Sequence, residues 1–295
     1  MRHAPQAAFA QTRALATLAS MDFLRVTMRG ARILLYHGTP RRFATALERQ
    51  LKFVRSRFEI IALPRLLELL SSSPAQVARK LALTFDDGLR NNVTVAYPLL
   101  KKLGLPATFF ICPALVGSAR WLWNHEARQR LRFLGDARHA ERIIESMKRL
   151  DHASRLRLEE EIRKASPHYL PSAREHEDFD IAGWDDIGSL DPSLITIGSH
   201  SMTHAILTSL NESEAEREIA ASRALLEERL NRSVDVFSYP NGDYGAKILD
   251  CVRRHYRAAV TVANDWVRAC SDAHLLPRYS PPAGMLRLAL DIRRG

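Results

Sequence analysis

Residues 81–88 read LALTFDDG, an uncharged run that ends in two adjacent aspartates and a glycine. An apolar run of this length is typical of a strand that is buried in a parallel sheet. The glycine favours a tight turn, so the carboxylates of Asp86 and Asp87 should lie at the carboxyl end of that strand. A loop that uses both aspartates only for turn and cap hydrogen bonds is the alternative interpretation.

Similar apolar runs recur on both sides of residues 81–85 and alternate with helical patterns. Strands are predicted at 33–36, 107–111, 194–197, 234–239 and 258–262, and helices at 43–58, 93–103, 212–230 and 246–255. This alternation predicts an α/β protein whose parallel sheet is closed, or nearly closed, as a barrel. The catalytic side chains of such a barrel lie in the loops that follow the strands.

Residues 119–180 interrupt the alternation, because they are rich in Arg, Glu and His and poor in strand-forming residues. They are predicted to form two or more charged helices, with breaks near Gly135 and at Ser166-Pro167. Their apolar face looks too thin for a core of its own, so we interpret them as a helical insertion in a barrel that spans 31–295. Residues 1–30 are expected to be an N-terminal segment that is either an amphipathic helix or disordered.

The chain has 295 residues, a net charge of +10 and a pI of about 9.9. This charge favours an anionic partner, but zinc-finger spacing and basic stripes with aromatic residues are lacking, so nucleic acid is not expected. The three cysteines form no C-x-x-C pair, which suits a reducing compartment. Without a secretory or membrane-spanning pattern, we expect a cytoplasmic protein, with peripheral contact to an anionic inner membrane face as an alternative.

A second group of side chains suited to metal binding follows the predicted strand 194–197. His200 and His204 are four residues apart, and histidines at this spacing share one face of a helical turn and can bind one metal ion. Two unrelated loop histidines are the alternative, but both groups follow strands and should meet at one rim. Two imidazoles and one carboxylate leave coordination positions open, which is typical of a catalytic divalent metal, with zinc as the expected ion. Such an ion lowers the pKa of bound water from about 15.7 towards 7.

The two motifs, TFDDG at 84–88 and H-S-x-x-H at 200–204, resemble the first two motifs of the polysaccharide deacetylases, carbohydrate esterase family 4. The resemblance covers residues 33–279 apart from the insertion. It implies a distorted (β/α)7 barrel and hydrolysis of N-acetyl groups on amino sugars. By this similarity Asp86 is the base, and Asp87, His200 and His204 hold the metal.

The family's third motif, Arg-Pro-Pro-Tyr-Gly, corresponds here to Ser238-Tyr239-Pro240-Asn241-Gly242. We expect the loop backbone to be kept, so that the backbone N–H of Asn241 stabilises the oxyanion. The arginine that pairs with the base in the family is missing at Ser238, and we predict that Arg278 replaces it. A surface arginine beside a proline is the alternative.

The family's C-terminal Leu-x-x-His motif, which brings the general acid, is absent. Tyr36-His37-Gly38 instead ends the first predicted strand. It resembles the circularly permuted members of the family, in which an N-terminal Tyr-His supplies the acid. His37 is therefore expected to protonate the departing amine, and a buried histidine that bonds backbone is the alternative.

The sequence thus predicts a metal-dependent hydrolase that removes N-acetyl or other N-acyl groups from an amino sugar in a polysaccharide or glycan precursor. One alternative is a deacetylase of a lipid-linked or nucleotide-linked amino sugar at the inner membrane face, where the basic stretch 287–294 could touch anionic lipid. Another is an inactive carbohydrate-binding barrel. The presence of Asp86 argues against it, because a binding site needs no base.

Overall fold

The computed structural model describes residues 30–135 and 137–292, so the prediction for the N-terminal segment falls outside the described residues except at Gly30. One seven-stranded parallel sheet contains β1 (Arg32–Tyr36), β2 (Glu59–Ile60), β3 (Lys80–Phe85), β4 (Ala107–Ile111), β5 (Ile195–Ser199), β6 (Val236–Ser238) and β7 (Ala258–Val260). The strand order is β1-β3-β4-β5-β6-β7, and β2 pairs with the start of β3. All six predicted strands are confirmed, while the two-residue β2 was not predicted.

Residues 276–279 connect the two edges of this sheet. Leu276 forms a parallel bridge with Val260 of β7, and Tyr279 forms one with Leu34 of β1. The backbone N–H of Tyr279 donates to Ile33 O at 2.8 Å. The sheet is thereby curled into the distorted (β/α)7 barrel that the sequence predicted.

The four predicted helices are confirmed as α1 (Ala44–Arg55), α3 (Tyr97–Leu103), α9 (Glu212–Leu230) and α10 (Ala246–His255). The described chain also forms α2 (Leu63–Ser72), a short α11 (Met285–Asp291) and five helices between β4 and β5. Asn211 caps α9, since its side chain accepts the N–H of Glu214 at 2.9 Å and the Glu214 carboxylate accepts the N–H of Asn211. Gly104 ends α3 in the left-handed region, with φ 63°. Within the described residues, none of these helices is both long and apolar enough to cross a membrane.

Four helices of the insertion region, α4 (Trp123–Leu134), α5 (Ala137–Met147), α6 (His152–Ala165) and α7 (Ala173–Phe179), precede a short α8 (Trp184–Gly188). Side chains of α4, α5 and α6 form an apolar cluster separate from the main core, which the sequence did not lead us to expect, and this cluster includes Ile206 of the barrel. Each helix contributes only a few of these residues, which explains why its face looked thin. The region also docks on the barrel by an antiparallel bridge between Leu89 and Ile181.

Gly198 in β5 lies where the barrel interior leaves no room for a side chain. A Cβ at this position would lie 2.5 Å from two ring atoms of Phe110 and 3.0 Å from Val236 Cγ2. We expect Gly198→Ala to lower the free energy of unfolding by about 1–3 kcal/mol, because the aromatic ring must move. Urea unfolding measures this, with Gly188→Ala as the control, since a Cβ there meets nothing within 4 Å. Equal midpoints for the two variants would contradict the prediction.

Candidate metal centre and active site

The ends of β3 and β5 bring the predicted metal ligands together. Asp87 follows β3 and His200 follows β5, and the pairing through β4 aligns the ends of the two strands. Asp87 Oδ1 lies 3.6 Å from His200 Nε2 and 3.6 Å from His204 Nε2. All three side chains are buried. Residues from distant parts of the chain therefore offer three ligand atoms to one point.

These distances fit a metal ion better than direct contacts. A separation of 3.6 Å is too long for a hydrogen bond, whereas two atoms that each lie about 2.0–2.2 Å from a shared ion in tetrahedral geometry are about 3.3–3.6 Å apart. The cluster of Glu216, Cys251 and His255 offers a contrast. There Cys251 Sγ donates to Glu216 Oε2 at 3.0 Å and His255 pairs directly with the same carboxylate. We therefore interpret that cluster as hydrogen-bonded and the Asp87 cluster as the candidate metal site.

The protonation of both imidazoles suits metal binding. His200 Nδ1 lies 2.8 Å from Ser238 O, and because a carbonyl only accepts, Nδ1 is the donor and Nε2 is the nitrogen that is left to bind a metal. Burial lowers the pKa of His204 to about 3, with the neighbouring His200 as a second cause, so its ring is neutral. Metal ligands must be deprotonated in this way.

The two histidines do not share a helical turn, so that part of the prediction was wrong. Ser201 and His204 both lie in the left-handed region, each with φ 61°. The loop is held in this shape by Glu218, whose carbonyl accepts the N–H of Met202 at 3.0 Å and whose carboxylate accepts the N–H of Thr203 at 2.9 Å. The loop still brings the two rings together, with centroids 4.8 Å apart.

Arg278 binds Asp86 through two parallel hydrogen bonds. Nη1 and Nη2 donate to Oδ1 and Oδ2 of Asp86, each at 2.7 Å, and such bidentate pairs are the strong form of this contact. Nη2 also donates to Ser238 Oγ at 3.0 Å, and Nε donates to Thr261 O at 2.8 Å. The alternative of a surface arginine is wrong, since Arg278 is 1% exposed.

The charges around the two aspartates decide their ionisation. Burial by itself raises the pKa of Asp86, but the Arg278 guanidinium and the nearby His200 outweigh burial and hold that pKa well below its usual range. Burial also raises the pKa of Asp87, but the surrounding imidazoles, of which His37 has the largest effect, outweigh it and lower that pKa. Both carboxyls are therefore ionised at neutral pH, one beside the arginine and one within the metal site.

His37 lies beside the aspartate pair at the end of β1. The backbone N–H of Asp86 donates to Tyr36 O at 2.9 Å, which fixes the neighbouring chain segments side by side. His37 is exposed, so the alternative of a buried histidine is wrong. Among the imidazoles that act on Asp87, His37 has the largest electrostatic effect. Its role as the acid stays a prediction.

Asn241 lies in the turn after β6, in the left-handed region with φ 56°. Its side-chain Nδ2 is buried and has no hydrogen-bond partner among the described residues. The turn follows the C-terminal end of β6. The role of its backbone N–H in stabilising an oxyanion stays a prediction.

His125 belongs to the surroundings of this site, although the sequence did not single it out. It lies in the first turn of α4, close enough to Asp87 and His204 to influence the pKa of each. The residue follows no strand and lies in a segment that is rich in charged residues and histidines. No local pattern in the sequence therefore distinguished it from the other histidines.

A parallel α/β barrel that brings two imidazoles and one carboxylate to one point at its strand ends offers a ligand set of the kind that can hold a catalytic metal. The family model for polysaccharide deacetylase matches residues 74–260, which is more than half of the chain. The chain belongs to the polysaccharide deacetylase family.

A curated relative, YxkH of Bacillus subtilis (strain 168), carries the same family name and is 23% identical over 180 residues. The match covers 61% of this chain and 43% of the relative, so the chain matches less than half of the relative's length.

Solved structures share the fold. The Streptococcus pyogenes deacetylase PplD, solved in complex with acetate, is 17% identical with a TM-score of 0.64 and covers 90% of this chain and 99% of its own. IcaB from Ammonifex degensii is also 17% identical with a TM-score of 0.64, over 90% of this chain and 98% of its own. A de-N-acetylase from Aggregatibacter actinomycetemcomitans is 12% identical with a TM-score of 0.56, over 86% and 96%. At these identities the likeness shows the fold alone.

Proposed function

We propose that the protein is a metal-dependent hydrolase that removes N-acetyl groups from an amino sugar in a polysaccharide or glycan precursor. The proposal rests on one observation: two adjacent aspartates have different partners. Asp87 faces two imidazole nitrogens at 3.6 Å, and Asp86 is held by Arg278 at 2.7 Å. Membership of the polysaccharide deacetylase family supports the same reaction.

Asp87, His200 and His204 would hold the metal, for which we propose zinc. A divalent ion there supplies a Lewis acid for the acyl carbonyl and lowers the pKa of a water molecule. The three protein ligands leave coordination positions for both. The donor set of two nitrogens and one oxygen suits zinc but also other first-row metals, so metal analysis has to identify the ion.

The side chains around the metal site then have separate tasks. Asp86, which is ionised and fixed by Arg278, accepts a proton from the attacking water. The backbone N–H of Asn241 donates to the oxyanion of the tetrahedral intermediate. His37 gives a proton to the departing nitrogen as the amide C–N bond breaks, so the products are acetate and a free amine.

We expect the purified protein to contain about one zinc ion per chain. Chelation should remove the ion and stop acetate release, because the proposed site has only three protein ligands. Zinc should restore the activity. His204→Ala should reduce both metal content and turnover, while His168→Ala, an exposed histidine of the insertion region, should reduce neither. Acetate release from N-acetylated oligosaccharides and elemental analysis measure the two effects. Full turnover in the absence of any metal would contradict the proposal.

A lipid-linked or nucleotide-linked amino sugar remains a second substrate class, favoured by the net charge of +10. The basic stretch 287–294 does not add to this argument. Arg287 pairs with Asp291 and the neighbouring Leu288 is buried, while Arg293 and Arg294 lie outside the described residues. Including lipid-linked and nucleotide-linked substrates in the acetate assay distinguishes the classes.

A further inference from the structure

The start of α4 lies against the loop that carries the two histidine ligands. Trp123 shares an apolar cluster with Ile206, which follows His204 by two residues. The loop that follows β4 also contacts the histidine loop, since the N–H of Ala114 donates to Met202 O at 3.1 Å. His125 follows Trp123 by two residues and therefore belongs to the part of the insertion region that borders the metal site.

His125 Nδ1 is a buried polar atom with no hydrogen-bond partner among the described residues. The ring packs on Phe179, with centroids 4.7 Å apart, and this contact supplies Nδ1 with neither an acceptor nor a donor. An unsatisfied buried polar group costs about 1–3 kcal/mol. Apolar packing alone therefore does not account for a histidine at this position, since a phenylalanine would pack without that cost.

The electrostatics of the site restrict what His125 can do. Burial lowers its pKa to about 4 and the nearby Asp87 opposes this, so the ring is neutral at physiological pH. A neutral imidazole offers one donor and one acceptor and is a poor source of a proton for an amine. His125 also does not belong to the group of three residues whose ligand atoms lie within 4.8 Å of one another. Neither proton donation nor metal ligation fits it.

We propose that His125 binds the sugar of the substrate, as a hydrogen-bonding side chain that the insertion region contributes to the wall of the metal site. The inference rests on the proposed function and specifies the ligand chemistry. A ring nitrogen at this place can donate a hydrogen bond to, or accept one from, a hydroxyl or acetamide group of a sugar. The insertion region thereby takes part in substrate recognition in addition to packing on the barrel.

The test compares His125→Phe with the wild type and with His168→Ala. Phenylalanine keeps a ring against Phe179 but removes both nitrogens, so the fold should be retained. With an N-acetylglucosamine tetrasaccharide as the probe, we expect KM to rise about three- to tenfold, the equivalent of one lost hydrogen bond. The value of kcat should change less than KM, and zinc per chain should stay constant.

Three results would overturn the inference. An unchanged KM would make His125 a packing residue, a loss of zinc that excess metal repairs would make it a ligand, and a fall in kcat at constant KM would make it a proton carrier. Calorimetric binding of the same tetrasaccharide separates this inference from the proposed function. If the wild type bound the sugar without releasing acetate, the proposed function would fail, and a weaker Kd for His125→Phe would still support the binding role. Equal Kd values, or no binding to either protein, would refute it.

Discussion

Replacing Asp86 with asparagine is expected to lower kcat by about 10²–10⁴-fold, the usual contribution of a general base. The amide keeps the shape of the side chain but accepts no proton from water. Because Asp87, His200 and His204 are the proposed ligands and Asp86 is not, zinc per chain should be unchanged. Acetate release at saturating substrate and elemental analysis of the same sample measure both quantities.

Stability has to be controlled in this experiment, since Asp86→Asn leaves the Arg278 guanidinium buried without a carboxylate. Breaking a buried pair by removing one partner costs about 3–5 kcal/mol, so the assay belongs well below the unfolding temperature of the variant. Asp185→Asn, away from the buried aspartate pair on α8, is the matched control. A variant at Asp86 that retained more than a tenth of the wild-type kcat would show that another group takes the proton.

Arg278→Met is expected to have the second largest effect, because it removes the group that keeps Asp86 ionised. Burial is then the dominant influence on Asp86 and raises its pKa. We expect activity at neutral pH to fall and the acidic limb of the pH–rate profile to move to higher pH. The free energy of unfolding at neutral pH should also fall by about 3–5 kcal/mol, because one buried charge has lost its partner.

The contribution of Asp86 to the pH dependence of stability should also change sign in Arg278→Met. In the wild type the depressed pKa of Asp86 contributes stability that is present above the unfolded pKa of about 3.9, and is lost as the pH falls through the folded pKa. In Arg278→Met the folded pKa lies above the unfolded one, so the same group destabilises the fold as the pH rises. Urea unfolding at a series of pH values measures the difference.

The double variant Asp86→Asn, Arg278→Met is the control for this pair. It leaves neither member of the pair buried as an unpartnered charge, so it should recover much of the lost stability and none of the activity. Arg278→Lys keeps the charge without the bidentate geometry and should lie between the wild type and Arg278→Met. An unchanged pH–rate profile in Arg278→Met would remove Arg278 from the active site.

The strands and the positions of the candidate metal ligands could be predicted because their signals are local. An apolar run that ends in Asp86-Asp87 marks both a strand and its functional end, and the same holds for His200 after β5. The replacement of the missing arginine at Ser238 by Arg278 also followed from the sequence, since one motif lacked a charge that another segment offered. The structure brings these side chains together, while their roles stay predictions.

The remaining features depend on contacts that no local pattern records. The left-handed residues at Ser201 and His204 lie in a loop that is held by hydrogen bonds to Glu218, which lies on α9. The apolar cluster of the insertion region comes from sparse side chains on several helices. His125 becomes relevant only because α4 packs against Ile206. The resemblance to circularly permuted members, the cytoplasmic location and the absence of a nucleic-acid partner stay predictions.

The origin of Arg278 has a consequence for biosynthesis. The base and its guanidinium partner are separated by 192 positions along the chain, and the segment that carries the arginine is also the one that joins β7 to β1. During translation, every proposed metal ligand leaves the ribosome before residues 276–279 do. A nascent chain could thus bind the proposed metal ion and still be inactive. It would become able to hydrolyse its substrate only when residues 276–279 close the barrel.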